Sequence, residues 1–64
     1  MNRIYTVRLA DGTVGTINNN TLDGQSASDF IGEVVNVHLY DENGPIEVEG
    51  RLVEVIGEET EYNS

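Results

Sequence analysis

The chain has no cysteine and no lysine, and its apolar residues come only in short runs. Without cysteine, neither a disulfide nor a thiolate metal site can stabilise its 64 residues. A membrane helix needs about 18 or more consecutive apolar residues, and Met1-Asn2-Arg3 leads directly into a strand pattern. We therefore expect neither a signal peptide nor a membrane anchor, and the absence of cysteine fits a cytoplasmic protein.

Motifs for catalysis and metal binding are also missing. The sequence contains no phosphate-binding loop, no dinucleotide-binding glycine motif and no His-Glu-x-x-His. Asp41 and Asn43 alternate as oxygen ligands do in a calcium loop, but Pro45 occupies the next ligand position, so a turn is the better interpretation. The sequence predicts a protein that is not an enzyme, with no catalytic residue, no cofactor and no metal.

Acidic residues dominate the charge. The net charge is −9 and the isoelectric point is near 4.1. Residues 33–64 hold nine of the twelve acidic residues but one of the three arginines. Such a surface repels phosphate groups, so neither nucleic acid nor a membrane is expected as a direct partner. The simplest interpretation is that this charge keeps a small protein soluble and monomeric.

The central segment, residues 33–56, predicts a β-hairpin. Its apolar residues alternate on both sides of Asp41-Glu42-Asn43-Gly44-Pro45, and Asn-Gly is a strong hairpin signal. A four-residue loop, Glu42 to Pro45, would place Asp41 opposite Ile46. That register predicts the apolar pairs Leu39–Val48, Val37–Gly50 and Val35–Leu52, and the polar pairs Tyr40–Glu47, His38–Glu49 and Asn36–Arg51. Apolar and polar side chains then lie on opposite faces, as in a half-buried sheet.

A second hairpin is predicted near the N-terminus. Ile4 to Ala10 alternates with a period of two, and Asp11-Gly12 favours a two-residue turn that pairs Ala10 with Thr13. In that register Ile17 would leave the core face. We therefore expect a bulge at Gly15 that returns Ile17 to the core.

Two further segments complete the predicted fold. The polar loop 18–32 is expected to hold one helical turn, capped by Ser26 or Ser28 and ended by Gly32, with Leu22, Phe30 and Ile31 closing one end of the core. In the last strand, Leu52 and Val53 have opposite parity, which predicts a bend at Gly50. Residues 1–57 would form one domain, and residues 58–64 an acidic, frayed C-terminal tail.

These elements define an all-β fold class, a small five-stranded antiparallel barrel with one helical turn in the 18–32 loop. The segment IGEVVNVHLYDENGPIEVEGRLVEVI resembles the SH3-like small barrels, through the glycine before a strand, the Asn-Gly turn and the glycine within the last strand. The resemblance covers residues 3–57. It implies the barrel architecture but little about function, because that group includes peptide binders, nucleic-acid binders and subunits of larger machines.

The leading functional hypothesis is an acidic protein-interaction module, such as a phage or bacterial accessory protein. Its partner would be a protein with a basic patch, because opposite charge raises the rate of encounter. The predicted binding surface is the outer face of the central hairpin, formed by Asn36, His38, Tyr40, Glu47, Glu49 and Arg51. His38 is either a half-exposed strand residue beside a glutamate or a pH-sensitive contact, and the structural role is the better interpretation.

Two alternatives remain open at the level of sequence. Same-side residues of a strand lie about 6.8 Å apart, close to the spacing of phosphates, so the carboxylates could mimic nucleic acid and inhibit a DNA- or RNA-binding protein. An exposed barrel edge could instead build a homo-oligomer. Competition by nucleic acid separates the first alternative from an ordinary interface.

Overall fold

Four antiparallel strands form a closed ring in the computed structural model, which describes residues 2–61. The elements in chain order are β1 (Asn2–Leu9), β2 (Val14–Asn18), a 3₁₀ turn (Ala27–Phe30), β3 (Val34–Asp41) and β4 (Gly44–Glu61). Each strand pairs with the next, and β4 closes the ring against β1. The all-β antiparallel prediction is confirmed. The described residues contain four strands rather than five, because the last segment is one continuous strand of 18 residues.

The core lies inside the ring and follows the alternation of the strands. Tyr5, Val7 and Leu9 of β1 are all buried, as the period of two predicts. The other buried side chains are Ile17, Leu22, Ala27, Val37 and Leu52. Val35, Leu39 and Val48 pack against this cluster from the central hairpin. The predicted packing of the β3 side chains with Val48 and Leu52 is therefore confirmed.

The first turn is one residue longer than the sequence predicts. Leu9 N–H donates to the Thr13 carbonyl at 2.8 Å and Gly12 N–H donates to the Leu9 carbonyl at 2.9 Å. Gly12 has φ +94°, as expected for the left-handed residue that ends a three-residue hairpin loop. The predicted pairing of Ala10 with Thr13 is wrong by one residue.

This longer turn removes the need for a bulge at Gly15. Tyr5 pairs with Ile17 and Val7 with Gly15 in an uninterrupted register, so Ile17 reaches the core directly. Gly15 instead permits close approach to β3. A Cβ there would lie 2.8 Å from both Leu39 Cδ1 and Val37 Cγ2.

The central hairpin is shifted by two residues from the predicted register. Asp41 pairs with Gly44, Leu39 with Ile46 and Val37 with Val48, so the loop is the two residues Glu42 and Asn43. The turn closes one residue before Pro45, whose missing N–H is therefore not required to close it. A shift of two preserves parity, so the predicted separation of apolar and polar faces survives.

The last strand changes parity at two bulges rather than at Gly50, once between Leu52 and Val55 and back again between Val55 and Glu58. Thr6 pairs with Gly57 and Val7 with Val55, and one step further Arg8 pairs with Glu54 but Leu9 with Leu52. Ile56 and Val53 are the extra residues, and both are exposed. A Cβ at Gly50 would lie 2.8 Å from Leu9 Cδ1, so this glycine accommodates Leu9.

The 18–32 loop contains the predicted helical turn. Ser26 is the N-cap of the 3₁₀ turn, and Gly32 follows with φ +96° and donates to the Leu52 carbonyl at 2.8 Å. Leu22 is buried and Phe30 is partly buried against the core, as predicted. Ile31 is 52% exposed, so its predicted place in the core is wrong.

The end of β4 extends into the segment predicted as a tail. Glu58 pairs with Tyr5 and Glu61 with Asn2. Residues 62–64, the remainder of that segment, lie outside the described residues. Between residues 2 and 61, no helix is long and apolar enough to cross a membrane.

Candidate protein-interaction face

The six residues predicted to bind a partner lie on one exposed face of the central hairpin. They alternate with the inward-facing residues of β3 and β4, which sends their side chains outward. We call this surface the hairpin face. Its members are Asn36, His38, Tyr40, Glu47, Glu49 and Arg51, all of them exposed.

Their cross-strand neighbours differ from the prediction because the register is shifted by two residues. His38 lies opposite Glu47 rather than Glu49, with 3.9 Å between Nε2 and Oε2. This pair is an ion pair only when His38 is protonated. Asn36 lies opposite Glu49, and Arg51 lies opposite Val34. The composition of the face is as predicted, but its internal pairing is not.

Tyr40 is the most exposed large apolar side chain of the described residues, at 84%. It lies opposite Pro45 at the turn end of the face. Beside it is a cleft of about 330 Å³, lined by Ile4, Leu39 and Pro45 among others. Thr16, Asn18 and His38 also line it, so the ring of Tyr40 stands next to a depression with both apolar and polar walls.

Acidic residues lie both at the turn and along β4. Asp41 and Glu42 lie in or beside the turn, and Glu47 and Glu49 follow along β4, all exposed. Arg51 is four residues beyond Glu47, about 13 Å along the strand, and its Nη1 donates to the Gly32 carbonyl at 2.6 Å. Asp41, Glu42 and Glu47 therefore lie within about two residues of Tyr40 in sequence or register. Glu49 lies further along β4, opposite Asn36, and the arginine of the face lies at its far end.

A second cleft was not predicted from the sequence. It lies between β2, the 18–32 loop and the start of β3, and its volume is about 540 Å³. It exists because β2 and β3 share a single registered pair, Thr16 with His38. The signal in the sequence was the difference in length between the two strand patterns, since a five-residue strand cannot cover an eight-residue neighbour.

Metal-binding and buried polar groups are absent from the described part of the chain. No cluster of three or more His, Asp or Glu side chains there could hold a metal ion, and no polar or charged residue is buried. Comparison of the chain with protein-family models, with curated proteins and with solved structures finds no match.

Proposed function

We propose that this protein is a non-enzymatic, acidic interaction module whose hairpin face binds a protein with a basic patch. The observation that carries the proposal is Tyr40, a tyrosine 84% exposed with Asp41, Glu42 and Glu47 as its acidic neighbours. Tyrosine is enriched among the residues that contribute most to binding at protein interfaces. The surrounding carboxylates would steer a basic partner toward it and raise the association rate.

Two features support a binding role over a catalytic one. The polar and charged residues of the described chain all lie outside the core, where water weakens the interactions that tune catalytic groups. The exposed face is also built on two paired strands, which hold its side chains in fixed positions. We further propose that the ring belongs to the SH3-like small barrels and that the protein is cytoplasmic, on the grounds of its turn glycines and its lack of cysteine.

Mimicry of nucleic acid is the second candidate, because Glu47 and Glu49 project from the same side of β4 at a spacing of about 6.8 Å. Three carboxylates of the acidic half weaken it. Glu54 contacts Arg8, Glu58 lies 3.7 Å from Arg3, and Glu47 lies beside His38. A carboxylate that contacts a basic side chain is a poorer substitute for a free phosphate. Assembly into a homo-oligomer has less support, since a charge of −9 opposes self-association.

A pulldown tests the proposal. The immobilised protein is incubated with bacterial lysate, and bound proteins are identified with and without added duplex DNA. We expect a protein partner whose retention falls with salt but not with DNA. Recovery of a nucleic-acid-binding protein that DNA displaces would favour mimicry, and failure to retain any protein would contradict both candidates.

Charge-matched variants define the surface. Glu47→Gln with Glu49→Gln removes two charges from the hairpin face. Asp23→Asn with Glu59→Gln removes two exposed charges elsewhere, and asparagine suits the positive φ of 54° at Asp23. Retention should fall for the first pair and not for the second. Equal losses would mean that only net charge matters.

A further inference from the structure

We propose that the second cleft binds an extended, basic peptide segment that adds as a strand to the open edge of β3. This site lies beside the hairpin face, and Asn36 is the one residue that belongs to both. The four observations that carry it are the early end of β2, the unpaired edge of β3, the apolar floor of the cleft and the acidic residues at its rim.

After β2 ends, the following segment of the chain turns away from β3. In the antiparallel register set by Thr16 and His38, Asn18 would lie opposite Asn36 and Asn20 opposite Val34. Instead, Asn19 N–H donates to the Arg3 carbonyl at 2.9 Å, which keeps the chain on β1. Turns then follow, with Thr21 N–H donating to the Asn18 carbonyl at 3.0 Å. The first half of β3 therefore has no registered strand partner on this side within residues 2–61.

An unpaired strand edge is a template for another strand. β4 pairs with every residue of β3 from Val34 to Asp41 on the opposite side. Backbone groups alternate along a strand between its two edges, so those of Val34 and Asn36 face the side that lacks a partner. An added segment would satisfy them as β2 satisfies His38.

The cleft has the shape and lining that a short strand requires. The β3 side runs from Glu33 to Asn36, about 10 Å, which matches three to four residues of added strand. Ile17, Leu22, Phe30 and Val35 line the interior. Ile17 and Leu22 are almost fully buried, so alternate side chains of the segment would lie mainly against Phe30 and Val35, and the others would point toward solvent.

Charge selects a basic occupant. Asp29 and Glu33 are exposed at the cleft, and no arginine lines it. A second copy of this chain is the less suitable occupant, because it would bring a charge of −9 to an acidic rim. A segment in which lysine or arginine alternates with an aliphatic or aromatic residue can make all three interactions. Its backbone would pair with the edge of β3, its apolar side chains would contact the apolar floor, and its basic side chains would face the acidic rim.

The test uses the full chain and a defined peptide pool. The pool contains capped hexapeptides in which Lys or Arg alternates with Val, Ile, Leu or Phe, and binding is followed by amide chemical shifts. We expect saturable shifts at residues 33–36 and slower hydrogen exchange of the Val34 and Asn36 amides. N-methylation of alternate peptide nitrogens in the binding register should weaken binding more than about tenfold, because it removes the strand hydrogen bonds.

Variants with equal charge change separate this site from the hairpin face. Asp29→Asn with Glu33→Gln should weaken peptide binding roughly three- to tenfold, as expected for two exposed ion pairs. Glu47→Gln with Glu49→Gln should leave it unchanged, whether or not the hairpin face binds a protein.

Several outcomes would overturn the proposal. They are shifts confined to the hairpin face, equal losses in both variant pairs, undiminished binding of N-methylated peptides, or no peptide of the pool binding at all. Self-association of the free protein that protects the same amides would identify a second copy as the occupant, which also overturns it.

Discussion

Gly15 lies where β2 comes closest to β3, and its role is steric. An added Cβ would meet Leu39 Cδ1, Val37 Cγ2 and the His38 carbonyl oxygen within 3.0 Å. Val37 is fully buried and the carbonyl belongs to the backbone, so these neighbours have little room to move. Sequence alone marks the glycine but cannot distinguish a bulge from a close approach, since both favour the smallest residue.

Gly15→Ala should therefore destabilise the protein by about 1–3 kcal/mol, the range for overpacking. Gly57→Ala is the matched control, because nothing lies within 4 Å of its added Cβ. Alanine there should be neutral or stabilising by less than about 1 kcal/mol, through the entropy of the unfolded chain. Urea unfolding of both variants gives the comparison, and equal free energies of unfolding would contradict the close approach.

Asp11 makes the stability of the first turn depend on pH. Its Oδ1 accepts a hydrogen bond from Thr13 N–H at 2.9 Å, and this bond lowers the pKa of Asp11 below the ordinary value of 3.8. When folding lowers the pKa of a carboxyl group, the group stabilises the folded state at pH values above its ordinary pKa. That stabilisation is lost as the pH falls through the lowered pKa of the folded state.

The stability advantage of wild type over Asp11→Ala should accordingly shrink as pH falls below about 4. Urea midpoints between pH 2 and 7 measure it, with Asp11→Asn as a control that keeps a neutral acceptor at every pH. An advantage that stays constant over this range would show that the Thr13 contact does not favour the charged carboxylate.

At the scale of elements, alternation predicts which residues face inward but not which residues face one another. The central hairpin illustrates this, since a shift of two residues leaves every side chain of β3 on its predicted face. The first turn shows the opposite case. One additional loop residue, Ala10, changes the register by one and accounts for the burial of Ile17 that the sequence could explain only with a bulge.

The bulges of β4 also could not be predicted from the sequence pattern, because they depend on pairing with a strand more than 40 residues earlier in the chain. Val53 and Val55 have the same parity, and simple alternation would place both on one face. Val53 is the extra residue of one bulge and is 43% exposed, while Val55 is half-buried and packs against the core.

This pair gives a matched test of the bulge. Val55→Ala should lower the free energy of unfolding by about 1–2 kcal/mol through lost apolar burial. Val53→Ala should cost about 0.5 kcal/mol or less, as surface substitutions do. Equal losses, measured by urea unfolding, would contradict the bulged register with β1.

For the whole molecule, repulsion between carboxylates lowers the stability that the small core provides. Carboxylates concentrated in one half of a 64-residue chain repel one another in the compact state. Within the described residues, the ion pairs Arg3–Glu58 and Arg8–Glu54 and the His38–Glu47 contact are all exposed and contribute little in water. Retaining such a charge despite its cost to stability is consistent with a role in recognition.

Screening should therefore stabilise the fold. We expect the melting temperature to rise as sodium chloride increases from about 0.01 to 0.15 M, over which the Debye length falls from about 30 to 8 Å. The Asp23→Asn, Glu59→Gln variant should respond less because it carries two fewer charges. A melting temperature that falls with salt would mean that ion pairs outweigh repulsion.

The most direct test of the interaction proposal compares two exposed apolar residues on different parts of the ring. Tyr40 lies on the hairpin face, and Ile56, 52% exposed, lies at a bulge against β1. The dissociation constant of the recovered protein partner is measured for wild type, Tyr40→Ala and Ile56→Ala. We predict an increase of about 30-fold for Tyr40→Ala, equivalent to about 2 kcal/mol, and less than about twofold for Ile56→Ala. A Tyr40→Ala complex as tight as wild type, or a larger loss for Ile56→Ala, would contradict binding through the hairpin face.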